Sequence, residues 1–531
     1  MAAASNSRVL QVILLPIVAM LFCSFAHGNI IYVDNDGQAD FDNIQAGIDA
    51  AIDGDAVLVA SGEYVITEPI TFRGKAITVK SEAGRDATTI RMGKALGSER
   101  RSVVVFENGE SAASVLDGFT ITGGRGSSLD HPEWTGDGGG IAFLASSGTV
   151  KNCVIVQNQA EDSGGGVTIG FGSSATFTNC VISDNSTVGS GAGLMCWNNS
   201  SVTMTDCIIK GNSSTGTTAY VNGYGGGLYC GMNSSLILAN CNIAENSAGI
   251  GGGGLLCWND SSLTMTDCEI KSNTANRWGG GVQCDTASAN LTNCIIARNS
   301  AFGTGGGGVF CPYPDSFMIL TNCTVWGNSA PQTGGGIKCW QGSATVTNSI
   351  IWGNEAPRGS EISLEQGGTL SLSYSNVAGG GPGVDVPGGC TLNWGEGNFD
   401  ADPLFARIGY WDDKGTRDPS DDVWVDGDYH LKSQASRWDP DSESWIQDEI
   451  TSPCIDAGDP MSPIGWELFP NGGFVNMGAY GGRPKASKSY FGEPVCETIV
   501  AGDINGDGRV DRADLEIMAL HWTDEEPLPL P

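Results

Sequence analysis

The sequence predicts an all-β solenoid, with three short strands to a coil and the coils stacked into three parallel sheets around a dry interior. Three observations predict it. Cysteine recurs every 26 to 34 residues through the middle of the 531-residue chain, at Cys153, Cys180, Cys207, Cys241, Cys268, Cys294 and Cys323. Each precedes an asparagine by five, giving Asn158, Asn185, Asn212, Asn246, Asn273, Asn299 and Asn328. Within one period, short runs with alternating apolar residues are separated by Gly or Asn/Ser turns, and the β-branched and Gly-rich content disfavours helix. A fixed period of this length signals stacked copies of one supersecondary unit.

Residues 1–28 have the make-up of an export signal. Arg8 gives a thin positive start, Val9 to Phe25 are mostly apolar, and Ala26-His27-Gly28 places small residues near a cut at Asn29. A membrane anchor and a lipoprotein modified at Cys23 are the alternatives. The apolar stretch is short for a spanning helix, and Phe22 before Cys23 fits a lipobox poorly. The expected location is secreted, cell-surface or periplasmic. No later apolar run approaches spanning length, so no stable membrane span is expected after cleavage. Net charge is −33, from 27 Lys+Arg against 60 Asp+Glu. Such a surface repels a phosphate backbone, which argues against nucleic acid as a partner and for cations.

The coil is legible in Gly225 to Asn246. Leu228 and Cys230 share one face with Tyr229 opposite; Leu236 and Leu238 face inward with Ile237 opposite; Cys241 and Ile243 point in, Asn242 and Ala244 out. Stacking in register places neighbouring rungs about 4.8 Å apart. The position of Cys196, Cys230, Cys257, Cys284, Cys311 and Cys339 is held by Phe143 and Ile169 in earlier copies, as an interior apolar column allows. The asparagine column, continued by Asn354, fits a left-handed turn residue whose amides stack from coil to coil. Some members, such as Asn212-Ser213-Ser214, also match glycosylation sequons, but the turn accounts for the whole column.

With these residues in view, the chain resembles right-handed parallel β-helix proteins of the pectate-lyase-like superfamily. It is similar in particular to exported bacterial repeat proteins with phrases such as Gly252-Gly253-Gly254-Leu255-Leu256-Cys257 and Asn246-Ser247-Ala248. Ile44 to Ala51, followed by Gly54 to Val59, is similar to the superfamily's entry, where an amphipathic N-terminal capping helix plugs the open end of the solenoid. At the far end, Asp402-Pro403-Leu404-Phe405, Tyr429-His430-Leu431, Ser452 to Gly458 and Met477-Gly478-Ala479-Tyr480 match as well. The resemblance covers residues 29–485, with regular repeats over 138–356 and irregular acidic coils over 395–485. It implies the fold but not the chemistry, because this fold hosts lyases, hydrolases, esterases, epimerases and non-catalytic adhesins.

Five coils carry two cysteines 10 to 12 residues apart, from Cys196/Cys207 to Cys311/Cys323. Within-coil disulfides are the first expectation for an exported protein. Cys153 and Cys180 lack a mate, however, and Cys339 meets Ser349 at the equivalent position, so two buried thiol columns fit better. Neither column has the spacing of a zinc site.

After a linker at 486–500, residues 501–524 hold the sharpest local motif. Asp503, Asn505, Asp507, Asp511 and Asp514 stand at loop positions 1, 3, 5, 9 and 12, with Gly508 at the sharp turn and Arg509 offering its carbonyl. That is EF-hand spacing for Ca²⁺. Leu515 to Trp522 has the pattern of an exiting helix, with Leu515, Met518 and Trp522 on one side, which makes a small α-helical, EF-hand-like appendage. Asp at position 12 followed by this helix resembles a dockerin repeat. Dockerins that bind cohesins usually have two repeats and this chain has one, so the resemblance carries over Ca²⁺ binding and leaves a cohesin-like or cell-surface partner open. Residues 525–531 are expected to be a disordered tail.

Candidates for chemistry are sparser. The insertion Arg125 to Asp137 holds Asp130, His131, Glu133, Trp134 and Asp137, and a His between carboxylates can serve as a base. A solvated loop is the competing reading. Outward aromatics beside the first cysteine column (Trp197, Tyr229, Trp258, Phe310 and Trp340) are candidates for stacking sugar rings, against packing under loops or a lateral contact. Trp326 and Trp352 sit on another sheet, where the C-terminal segment can cover them. Seven aspartates from Asp412 to Asp428 suit a further Ca²⁺ or a solvated acidic loop. The expected function is that of an exported, carbohydrate-associated β-helix protein with a Ca²⁺ module. As an enzyme it would be a polysaccharide lyase or glycoside hydrolase acting on an acidic polysaccharide. The rival is a non-enzymatic surface adhesin. A groove joining carboxylates to Arg or Lys favours the first, a featureless surface the second.

Overall fold

The computed structural model describes residues 28–93, 102–126, 138–218, 221–415 and 423–492, together with Val510, Arg512 and Leu515. The signal segment, the 127–137 loop with Asp130, His131, Glu133, Trp134 and Asp137, and the Ca²⁺ loop with Asp503, Asn505, Asp507, Arg509, Asp511 and Asp514 lie outside the described residues.

Strands in the described residues form three long parallel sheets. Sheet 1 has 11 strands, from Ile70–Thr71 to Ile362–Leu364; sheet 2 has 14, from Ile30–Val33 to Thr391–Trp394; sheet 3 has 12, from Gly62–Ile66 to Asn376–Val377. A fourth, narrow sheet runs from Gln159–Ala160 to Ser300–Ala301. The chain visits sheets 1, 2 and 3 in turn, so each strand pairs with its counterpart one coil away. Cys196 pairs with Cys230, Cys230 with Cys257, and Cys257 with Cys284, all fully buried. Phe143, Ile169 and Cys196 share that column, as the sequence pattern requires. Leu236 and Leu238 point inward while Ile237 is exposed.

The fifteen cysteines from Cys153 to Cys454 are free. Fourteen of them are buried, and burial pushes the Cys153 and Cys284 thiols up to about 12.

Two polar columns mark the corners. Asn158, Asn185, Asn212, Asn246, Asn273, Asn299, Asn328 and Asn354 are buried; each amide as far as Asn328 donates to the side-chain oxygen of the next, at 2.9–3.1 Å, and that of Asn354 donates to Glu361. The stack is as expected, but the left-handed residue is not the asparagine. It is the residue before, such as Asp184 (φ 55), Gly211 (φ 67), Glu245 (φ 57) or Arg298 (φ 57). The asparagine must aim its amide into the coil to reach a main-chain carbonyl, as Asn246 does to Ile209 at 2.9 Å, so its exposed neighbour takes the turn. The second column, between sheets 2 and 3, does use left-handed Asn and Asp: Asn152, Asn179, Asp206, Asn240, Asp267, Asn293, Asn322 and Asn348, with φ between 50 and 57.

A seven-residue helix, Ile44–Ala50, is capped by Asn43, whose side chain accepts from the Ala46 N–H at 2.8 Å. Ile44, Gly47 and Ile48 are buried against the first strands of sheet 2. A Cβ on Gly47 would meet Val33 at 2.7 Å and Val57 at 3.0 Å, so only glycine permits this approach.

After Thr391–Trp394 and a last parallel bridge from Phe399 to Asn376, the parallel winding stops and antiparallel pairs follow: Phe405–Arg407 with Asp428–Leu431, Tyr410–Asp412 with Val423–Val425, and Arg437–Asp439 with Ser444–Ile446. This segment folds back over sheet 3. Phe405, Tyr429, Leu431, Cys454, Ile455 and Met477 form a second core with Ile295, Ala297 and Ile350, and Trp326 and Trp352 pack against it. It also seizes the downstream members of the second column: Asn293 donates to the carbonyls of Ala479 and Gly481, and Asn348 to Ser462 Oγ.

Candidate functional site

Where the C-terminal segment stops covering the corner, a cleft of about 650 Å³ remains between it and the solenoid. One wall is the left-handed column just upstream of the docked part: Asp206, Asn240 and Asp267, with Glu269 around the turn. The other wall is Trp438, Tyr480, Arg483 and Lys485. Parallel stacking holds the solenoid wall rigid, with Asp206 and Asp267 two rungs apart, roughly 9.6 Å along the axis.

Each charged group has an identifiable partner or setting. Asn240 donates to Asp206 at 2.6 Å. Arg483 reaches from the C-terminal segment to Asp267 at 3.3 Å, closing one end of the cleft. Glu269 pairs with Lys271 at 2.8 Å, and Lys271 continues to Asp426 at 2.9 Å. Burial pulls the Lys271 ammonium down, but Glu269 and Asp426 outweigh it and hold it up. Lys485 lies 4.5 Å from the centre of the half-buried Trp438 ring.

Beneath the cleft, His430 is 2% exposed and stacks on Tyr480 at 3.6 Å. Its Nδ1 is 2.6 Å from Asp428 Oδ1, and Arg437 donates to the other Asp428 oxygen at 3.1 Å. Nε2 is buried with no hydrogen-bond partner among the described residues. A substrate cannot touch that nitrogen in this arrangement, so His430 shapes the floor rather than the chemistry. Of the acidic run, Asp426 and Asp428 are thus engaged in ion pairs, and among the described residues no cluster of His, Cys, Asp or Glu is built to hold a metal.

The outward aromatics do not make one open stripe. Tyr229 and Phe310 are buried, in a column with Gln283 and the 1%-exposed Lys338. Lys338 donates to Thr304 O at 2.6 Å and Thr333 Oγ1 at 2.7 Å and pairs with Glu365 at 3.2 Å; burial pulls its ammonium down. The Gly-rich loops lie over this face, and their glycines are what lets them. A Cβ on Gly279 would meet Gln283 Cβ at 2.7 Å, and one on Gly334 would meet Lys338 Cβ at 2.7 Å. Trp197, Trp258 and Trp340 are half-buried, two positions further along their strands. Between the first two, the Tyr229 ring lies over Gly231, where a Cβ would sit 2.8 Å from it.

Sequence reasoning missed the cleft residues, although one signal existed. Asp206 and Asp267 are the two carboxylates in a column otherwise made of asparagine from Asn152 to Asn348. Nothing in the sequence brings Arg483 across 216 positions to Asp267.

Among the described residues no helix is long and apolar enough to cross a membrane. The family model for a right handed beta helix region matches residues 76–250 and 218–351, together just over half of the chain. A second, disaggregatase related, matches residues 416–458. No curated protein sequence matches the chain. Among solved structures, the chain is similar to pectate lyase Pel9A, with 16% identity over 86% of this chain and 97% of that one and a TM-score of 0.42. It is similar also to the catalytic unit of a thermostable GH87 alpha-1,3-glucanase from Streptomyces thermodiastaticus (12% identity, 67% and 65% covered, TM-score 0.32). A third is PfbA, a surface adhesin of Streptococcus pneumoniae (11% identity, 62% and 89% covered, TM-score 0.29). The parallel winding, the buried columns and the extent of the family match lead to one conclusion: the chain belongs to the right-handed β-helix family.

Proposed function

We propose that the protein is exported and binds a polysaccharide in the C-terminal cleft. One observation carries this reading: a Trp438 ring, carboxylates and the cations of Arg483 and Lys485 converge on one concave site of saccharide size. The half-buried indole, with Lys485 over it and Trp445 edge-on to it, offers its remaining exposed surface to a pyranose. The Asp206–Asn240–Asp267 wall offers acceptors and an amide to its hydroxyls, and Lys485, together with Arg483 where a ligand carboxylate competes with Asp267 for it, supplies the cations an acidic polysaccharide would engage. If the bound chain is cleaved, the reaction is hydrolysis or elimination. The loop of Asp503, Asn505, Asp507, Arg509, Asp511 and Asp514 is assigned to Ca²⁺ on its donor spacing, as a stabilised tail or an assembly tag.

A non-enzymatic adhesin is the second reading. It is favoured by the face of sheet 1, which is filled by its own loops over Tyr229, Gln283, Phe310 and Lys338. The test is a panel of acidic and neutral polysaccharides incubated with the full chain, with and without EDTA, monitoring binding, new reducing ends and unsaturated uronates. Trp438→Ala should weaken binding of any ligand found by tenfold or more. Binding indifferent to Trp438, or none across the panel, rejects the cleft. Binding without products favours the adhesin.

A further inference from the structure

The C-terminal wall of the cleft hangs on a buried carboxyl. Tyr480, Arg483 and Lys485 belong to the irregular stretch 476–485, which no helix or strand stiffens. Glu467, 8% exposed, clamps that stretch at two points with one oxygen: Oε1 accepts from the Asn476 N–H at 2.8 Å and from the Gly482 N–H at 2.7 Å. The Trp466 N–H donates in turn to Gly482 O at 2.9 Å, so Gly482, the residue before Arg483, is gripped through both its polar groups. The hydrogen bonds that tie the stretch to the solenoid, from the Gly478 N–H to Asn348 O, from the Ala479 N–H to Thr324 Oγ1 and from Asn293 to the carbonyls of Ala479 and Gly481, join neutral groups.

The cations of the neighbouring chain are engaged elsewhere. Arg483 turns to Asp267 at 3.3 Å, and Lys485 and Lys488 lie 4.5 Å from the centres of the Trp438 and Trp445 rings. Among the described residues the charged side chain that acts on Glu467 is Asp456, of the same sign. Asp456 is fixed by the Gly472 N–H and the Ser489 hydroxyl, and its own N–H donates to Asn476 Oδ1 at 2.8 Å. Burial pushes the Glu467 carboxyl up to about 7, against the pull of its two N–H donors, and Asp456 adds to the push. With Oε1 taken by both donors, Oε2 carries the proton of the neutral form. Ionised, Glu467 is a buried negative charge beside another, and swinging out into water relieves it. The closed arrangement is therefore favoured in full below the ordinary 4.5 and loses that advantage progressively as pH rises through about 7.

We propose that Glu467 is a pH-sensitive positioning residue of the cleft: neutral, it holds Tyr480, Arg483 and Lys485 in the wall, and ionised, it releases them. Its bearing on saccharide binding rests on the cleft being the binding site; the latch itself does not. The experiment is hydrogen exchange of the full chain read by mass spectrometry, with protection of residues 476–485 measured at pH 5 and pH 8 against the same segment as a free peptide. Linkage between 4.5 and about 7 should lower that protection at least about tenfold from pH 5 to pH 8, while the strand Leu255–Trp258 stays protected. Glu467→Gln, neutral at both pH values and with an oxygen for the same two N–H groups, should show no such fall. The proposal is overturned if the parent is equally protected at both pH values, or if Glu467→Gln falls as the parent does. It is also overturned if Leu255–Trp258 loses protection alongside, since the opening is then not local to the wall. No saccharide enters the measurement, so a cleft that binds none leaves its outcome unchanged, and the two readings fail separately.

Discussion

Replacing Asn246 by alanine tests what holds the coils together. Asn246 is fully buried, and its side chain makes four hydrogen bonds. Oδ1 accepts from the Asn212 N–H at 3.0 Å and from Asn212 Nδ2 at 2.9 Å; Nδ2 donates to Ile209 O and to Asn273 Oδ1, both at 2.9 Å. After truncation the Asn212 N–H is stranded, whereas Asn212 Nδ2 keeps Ile182 O and Asn273 Oδ1 keeps the N–H of residue 246. One stranded donor costs about 1–3 kcal/mol and each of the three further lost bonds about 0.5–1.5 kcal/mol, so the expected destabilisation is about 2.5–7.5 kcal/mol. Asn240→Ala is the control. That side chain is exposed and bonds only Asp206 among the described residues, so its loss, with the strain of alanine at φ 52, should cost about 1–2 kcal/mol. Urea titration followed by circular dichroism reads both. Equal losses in the two variants, or a loss below about 1 kcal/mol for Asn246→Ala, would refute the idea that the amide ladder is a main source of cohesion.

Three further outcomes are expected. Burial pushes the Asp285 carboxyl up to about 7 from the ordinary 3.8, so its contribution to stability is full below about pH 3.8 and is lost progressively as pH rises from there through about 7. Asp285→Asn should therefore melt higher than the parent at pH 8, by less at pH 5, and nearly level with it at pH 3; an advantage confined to pH 3 would contradict the burial argument. Gly279→Val should destabilise the loop over sheet 1, because its Cβ would lie 2.7 Å from Gln283 Cβ at φ 58, and raised proteolysis near residue 279 would report it. Calorimetry on the full chain should show Ca²⁺ uptake that Asp503→Ala and Asp514→Ala abolish; heats unchanged in both variants would remove the Ca²⁺ assignment.

Much of the solenoid was legible because its determinants are local and repeated. Leu236, Leu238 and Cys230 follow a period of two, and a slip by one residue would turn all of them outward, so alternation alone fixes the inward face. The burial of Tyr229 was less legible: alternation places it outside, and only the path of glycine loops decides that outside is covered. The asparagine turn was displaced by one position for a similar reason. The amide's need for an inward carbonyl outweighed its tolerance of left-handed backbone. The cleft was least legible, since Trp438 and Arg483 reach the solenoid through irregular, long-range contacts that no period announces.

The free thiol columns have a consequence for how such a chain changes length. Each coil brings its own sulfur, amide and apolar set, and none is covalently tied to a particular mate. Duplicating or deleting one coil therefore leaves no severed crosslink and no orphaned cysteine, and the new neighbours meet through the same contacts as the old. A disulfide-stapled scaffold would have to re-pair after every such event. Here, tandem duplication in the gene translates directly into a longer or shorter rod.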